Sequence, residues 1–158
     1  VDTYDQHPEM SAPDVTNQLI QAIEDKKYDV IICNFANADM VGHTGNFNAT
    51  VKAIECLDQC LGNIENALQS VDGEMLITAD HGNAETMFNS QSQQPHTAHT
   101  SQPVPLLYIG RKGEFIKQQG GLVDIAPTLL QLLNIPIPKE MTGKPLLKLC
   151  ESGRMPLN

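Results

Sequence analysis

Two short apolar runs, Tyr28-Asp-Val-Ile-Ile-Cys-Asn-Phe35 and Glu74-Met-Leu-Ile-Thr-Ala-Asp80, set the strongest limit on how this chain can fold. A strand with one wet face alternates polar and apolar residues, whereas a β-rich run without alternation is covered on both faces, as in a parallel sheet between helices. Tyr28–Phe35 is therefore expected as a central buried strand and Glu74–Asp80 as a second. Val104-Pro-Leu-Leu-Tyr-Ile-Gly110 reads as a third, confined at its start to an edge or entry position by Pro103 and Pro105, which have no amide hydrogen to donate. The covering helices are equally legible. Ser11-Ala-Pro-Asp14, ahead of Val15, Leu19, Ile20 and Ile23, combines a serine cap, a first-turn proline and an early acidic residue. From Asn48 onward Val51, Ile54, Leu57, Leu61, Ile64 and Leu68 recur at helical spacing, until Ser70-Val-Asp-Gly73 ends the run. Asp124 can cap a further helix through Pro127, Thr128, Leu129, Leu130, Leu132 and Leu133, which Ile135-Pro-Ile-Pro138 stops. The polar stretch Asn89 to Gln94 reads as a surface loop. Alternating strands and helices give an α/β sandwich, in which ligands collect beyond the carboxyl ends of the strands.

Composition narrows the class of partner. The chain has 158 residues, 41% of them hydrophobic, enough for one domain or one large piece of a domain. A formal net charge of −9 leaves no basic stripe to neutralise phosphates, which argues against nucleic acid or an anionic membrane as partner. No apolar run approaches the roughly 20 residues that span a bilayer, and the polar N-terminus lacks the pattern of a secretory leader. A cytoplasmic protein with a small-molecule partner is expected. Four cysteines, Cys33, Cys56, Cys60 and Cys150, form no CxxC pair and read as reduced thiols, Cys56 and Cys60 being neighbours on a helix face.

The chemistry gathers where the strands end. Phe35 is followed by Ala-Asn-Ala-Asp39-Met-Val-Gly-His43, and Ala79 by Asp80-His81-Gly82-Asn83. An Asp and a His four apart share a face of a helical turn, so their oxygen and nitrogen atoms can converge on one cation. The third strand is preceded by His96-Thr-Ala-His99-Thr-Ser, so four of the five histidines fall in three short motifs. Any one pair alone would read as a cap or a surface pair. Together they read as a metal site, for an acidic chain has no evident structural reason to set imidazoles beside carboxylates at strand termini. Carboxylate and imidazole donors suit Mn²⁺, Zn²⁺ or Fe, and the absence of cysteine from these motifs argues against a thiolate-bound structural zinc. Two such cations can clamp a phosphoryl group between attacking and leaving oxygens. His7 has no partner motif and is expected in solvent.

Four stretches carry a family resemblance: Tyr4-Asp5 with Pro8-Glu-Met-Ser11, Asn37-Ala-Asp-Met-Val-Gly-His-Thr-Gly45, Thr78-Ala-Asp-His-Gly-Asn-Ala-Glu85, and His96-Thr-Ala-His-Thr100 with Pro103-Val-Pro105. In this order and spacing, over nearly the whole chain, they resemble the cofactor-independent (2,3-bisphosphoglycerate-independent) phosphoglycerate mutases. Asp124-Ile-Ala-Pro-Thr-Leu-Leu130 is a weaker match, shared across the alkaline phosphatase superfamily. The resemblance implies a three-layer α/β/α sandwich, alkaline-phosphatase-like and incomplete, with residues 1–11 as a hinge or crossing segment from an inserted domain and 12–158 as the C-terminal part of the phosphatase-like domain. It implies one Mn²⁺ held by Asp39, His43 and His99 and a second held in part by Asp80 and His81, with Mg²⁺ or another divalent ion as alternatives. His96 is the competing candidate for His99, and Asn83 and Glu85 could orient the ligands from behind or simply form a turn.

The same resemblance implies a parent enzyme that interconverts 3-phosphoglycerate and 2-phosphoglycerate through a phosphoserine. Its serine, and an aspartate of the second metal site, have no counterpart in this chain. Ser90, Ser92 and Ser101 lie in polar loops without the glycines of a nucleophile elbow. The chain alone is accordingly expected to be inactive as a mutase, with a monomeric parent and a tendency of the piece itself to associate through open strand edges. A related phosphatase, phosphopentomutase or sulfatase, or a non-catalytic piece, are the competing readings.

Overall fold

The computed structural model describes residues 3–150. The first two residues of the expected 1–11 crossing segment and the last eight of the expected 12–158 portion lie outside the described residues. The chain divides into two compact units, Val1–Gly110 and Arg111–Asn158.

In the first unit a 3-10 turn at Tyr4–Gln6 precedes helix α1 (Ala12–Glu24), helix α2 (Asn37–Gly42) and helix α3 (Phe47–Ser70). Strand β1 (Met75–Thr78), the short strands β2 (Phe88–Asn89) and β3 (Gln94–Pro95), and strand β4 (Leu106–Ile109) follow. Pro13 sits in the first turn of α1 as expected, but the Ser11 side chain makes no capping hydrogen bond. At α3 the cap is Asn46, whose side-chain oxygen accepts from the Ala49 N–H at 3.2 Å. The β2–β3 hairpin carries the expected polar loop at its tip, where Asn89 Oδ1 accepts from the N–H groups of Gln91 and Ser92.

Helix α3 organises the core because it buries one face against two partners. Ile64 and Ala67 meet Ile23 of α1, with Leu19, Ile20, Phe35, Leu68, Val71 and Met75 packed around them. Ala49 and Ala53 meet Val41 of α2, with Met10 against them. Val51 and Ile54, expected on the buried stripe, are exposed. The small Ala49 and Ala53 face α2 in their place.

The strand expectations need two corrections. β1 pairs with β4 antiparallel, from Met75 opposite Ile109 to Thr78 opposite Leu106, rather than within a parallel sheet. Among the described residues every sheet has two strands, and Tyr28–Phe35 belongs to none. Ile32 is 87% exposed, Tyr28, Val30 and Ile31 are exposed as well, and Phe35 alone packs, on the α1–α3 cluster. Apolar composition marks a segment that favours covered faces; a strand also needs a neighbouring main chain to bond to, and none of the described residues offers it one.

In the second unit strand β5 (Gly113–Phe115), a 3-10 turn at Leu122–Asp124, helix α4 (Ile125–Leu132) and strand β6 (Leu147–Leu149) follow in order, with β5 and β6 antiparallel. Asp124 precedes α4 but does not bond to its amides. Its carboxylate accepts instead from Lys144 N–H at 2.6 Å and Gly121 N–H at 3.0 Å. The Thr128 hydroxyl donates to the Asp124 carbonyl at 2.7 Å and accepts from Leu146 N–H at 2.9 Å, which ties the returning chain to α4. The bonds from Lys144 and Gly121 lower the Asp124 pKa against the opposing effect of burial, aided by the charge of Lys117. A depressed folded-state pKa contributes stability that is present above the ordinary carboxylate range and is lost as pH falls through it. Between about pH 5 and pH 2 the thermal midpoint of the wild type should fall more steeply than that of Asp124→Asn. Parallel curves would contradict this.

Candidate metal centre

Asp39 lies in the first turn of α2 and His43 caps its C-terminal end, so one helical turn presents both side chains together. Asp39 Oδ1 is 3.1 Å from His43 Nε2. His99 arrives from the segment beyond the β2–β3 hairpin, with its Nε2 3.1 Å from the same carboxylate oxygen and 3.0 Å from His43 Nε2. Three local devices hold this arrangement. Asn37, buried at the start of α2, donates through Nδ2 to the carbonyls of Pro8 and Glu9 at 2.8 Å each, which anchors the helix to the segment before α1. Gly45, at φ +72, turns the chain from α2 toward α3 in a conformation that strains other residues. Thr100 N–H donates to Gly82 O at 2.8 Å, which brings the His99 segment back beside the end of β1.

The donor set fits a cation. His43 Nδ1 lies 2.6 Å from the Thr97 carbonyl oxygen. A carbonyl only accepts, so the ring proton sits on Nδ1 and the Nε2 lone pair faces the cluster. The Asp39 oxygen and this lone pair, 3.1 Å apart, repel each other unless a proton, such as one on His99 Nε2, or a cation lies among the three atoms. An octahedral ion with ligands at about 2.1 Å has adjacent donors about 3.0 Å apart, whereas a tetrahedral ion with ligands at the same distance spreads them to about 3.4 Å. The three donor atoms lie close enough together to share one cation. Partial burial pushes the Asp39 pKa up, but the hydrogen bond from Asn83, with the positive charge that His43, His99 and His81 carry when protonated, outweighs it and leaves the carboxyl below its ordinary value.

Asp80 and His81 follow β1. The His81 ring stacks on His99 with centroids 3.7 Å apart, so His81 lies directly beside the triangle. Asp80 is not drawn in: its side chain is 80% exposed and 3.7 Å from His81 Nε2. His96 stands apart from the three-donor group, its N–H donating to Met87 O at 2.9 Å. Asn83 reaches Asp39, whereas Glu85 does not touch the triangle and bonds to Asn83 and Thr100. Thr97 and Thr100 were not singled out from sequence. Thr97 acts through its carbonyl, which any residue carries, and Thr100 had only its place beside His99 to mark it. Among the described residues no helix is long and apolar enough to cross a membrane.

Comparison with known proteins agrees with this chemistry. Proteins named 2,3-bisphosphoglycerate-independent phosphoglycerate mutase from Nitrosococcus oceani, Legionella pneumophila strain Corby and Coxiella burnetii are 60%, 62% and 58% identical to the chain, each over 94% of its length. The chain spans about 29% of the length of these curated relatives. A phosphoglycerate mutase of Leishmania mexicana, crystallised at low cobalt concentration, superposes with a TM-score of 0.84 at 28% identity, covering 94% of this chain and 30% of that one. The fold is thus part of an alkaline-phosphatase-like α/β sandwich, as the family resemblance implied. A family model described as the metalloenzyme superfamily matches residues 1–137, and the chain belongs to that superfamily.

Proposed function

We propose that this chain is the metal-binding C-terminal part of a cytoplasmic, glycolytic 2,3-bisphosphoglycerate-independent phosphoglycerate mutase. The convergence of Asp39, His43 and His99 carries the reading, supported by the names of the relatives. Asp39 Oδ1 and the Nε2 atoms of His43 and His99 would hold one divalent cation, taken as Mn²⁺ from the family resemblance, a choice that carboxylate and imidazole donors allow along with Zn²⁺ or Fe. Asp80 and His81 supply part of a second site, and a rotation of the exposed Asp80 side chain is needed to complete their share. When bound, two cations supply the charge that stabilises both attacking and leaving oxygens of a transferring phosphoryl group. The phosphoryl group leaves one hydroxyl of the glycerate for a serine outside this chain and returns to the neighbouring hydroxyl, so 3-phosphoglycerate becomes 2-phosphoglycerate without net consumption of phosphate.

The chain alone should bind Mn²⁺ and give no mutase turnover, because a metal site without its nucleophile has nothing to activate. Two assays test this: calorimetric titration of the chain with Mn²⁺, Mg²⁺ and Zn²⁺, and turnover of both phosphoglycerates by the chain and by a longer protein that contains it. Turnover by the longer protein alone is the expected result. Activity of that protein on pentose phosphates or phosphate esters, and none on phosphoglycerates, would move the chain to a phosphopentomutase or phosphatase.

A further inference from the structure

Asp39 is gripped from behind by a side chain that the donor set does not itself require. Asn83 is 4% exposed, and its Nδ2 donates to Asp39 Oδ1 at 2.7 Å and toward the Asp39 carbonyl oxygen at 3.3 Å. The Asn83 N–H donates to Glu85 Oε2 at 2.8 Å. The other Glu85 oxygen accepts from the hydroxyl of Thr100, the residue after His99. Asn83 thus bridges the helical turn that carries Asp39 and His43 to the segment that carries His99.

Two observations separate this from ordinary packing. A Cβ on Gly42 would overlap Asn83 Oδ1 and lie 3.0 Å from its Cγ, so the Asn83 amide uses the space that a side chain at position 42 would take. That same Oδ1 is buried and has no hydrogen-bond partner among the described residues. An unsatisfied buried acceptor is costly, and a leucine of similar volume would fill the space without it. The amide is therefore useful for its N–H side, which is the side turned to Asp39.

We infer that Asn83 is the positioning residue of the metal centre, holding Asp39 Oδ1 toward the His43 and His99 pair, with Gly42 providing its space and Glu85 and Thr100 bracing it from the His99 side. The inference rests on the proposal that these three residues hold a divalent cation. Outer partners of this kind typically change metal affinity about 10–100-fold.

The test uses the whole chain and three readouts: Mn²⁺ affinity by calorimetry, the unfolding midpoint without metal, and the visible absorption of bound Co²⁺. Asn83→Leu, which keeps the bulk and removes the donor, should weaken Mn²⁺ binding about 10–100-fold and alter the Co²⁺ spectrum, with the metal-free midpoint preserved. Gly42→Ala should weaken binding by displacing Asn83, and Gly42→Ala combined with Asn83→Ala should be no weaker than Asn83→Ala alone, since the clashing amide is gone. Should Asn83→Leu unfold the chain, the Gly42 and Asn83 cycle decides. Wild-type affinity in Asn83→Leu, or losses that simply add in the double variant, would overturn the positioning role. Wild-type affinity in Asp39→Ala would instead remove the ligand assignment itself, a failure that can be told apart from the first.

Discussion

Asp39→Ala is expected to weaken Mn²⁺ binding by more than about 100-fold, beyond the range for loss of an outer partner. Asp39 contributes the only anion among the three converging donors, and its Oδ1 lies 3.1 Å from each imidazole nitrogen. Without it two neutral nitrogens face each other, a poor set for an oxygen-preferring ion. Zn²⁺, which accepts imidazole more readily, should lose less affinity than Mn²⁺ in the same variant. His43→Ala and His99→Ala should each weaken both metals. Calorimetry at fixed pH reads all of this, and a Kd for Mn²⁺ within about threefold of wild type in Asp39→Ala would remove the site from consideration, since the affected ligand would then be contributing less than a single outer partner does.

The largest stability effect is expected at Ile64. This residue is 3% exposed and joins Ile23 and Ala67 at the seam of α1 and α3. Truncation to alanine removes three buried carbons and leaves space that the packed helices close only in part, a change that costs about 2–5 kcal/mol. In urea that corresponds to a midpoint lowered by on the order of 1 M or more. Ile54, on the same helix and 44% exposed, serves as the control. Ile54→Ala should stay within about 0.5 kcal/mol of wild type. Equal losses at the two positions would mean that α3 presents a different face to the core.

That pair of isoleucines also shows where reading the sequence reached its limit. Spacing located α3 and its approximate ends, and both residues lay on the stripe that spacing drew. Ile64 is buried because α1 packs on it, whereas α2 is met by Ala49 and Ala53 and not by Ile54, and small side chains of that kind carry little weight in a hydrophobic pattern. Two of the expected strands are present, as β1 and β4, but Tyr28–Phe35 is not one for a related reason: it has the composition of a covered strand, but pairing is a property of two segments and composition describes one. The metal centre was more legible, since the four-residue interval from Asp39 to His43 follows from helical geometry alone. That His99 and not His96 would meet them depended on a family pattern and on the path of a hairpin. Asn83 stood beside Asp80 and His81 in the sequence, but its grip on Asp39, 44 positions away, is visible only in three dimensions.

Asp39 and His43 occupy one rigid turn, whereas His99 lies 56 positions beyond His43. A cation gripping all three would work as a reversible cross-link, closing a loop that contains all of α3, β1 and the β2–β3 hairpin. A covalent bridge over a loop of that size restricts the unfolded chain by about 4 kcal/mol in the chain-entropy treatment, an upper limit for an ion that can dissociate. Chelation would then act on this protein much as reduction acts on a disulfide-stapled one, and metal supply would govern the lifetime of the folded chain as well as its chemistry.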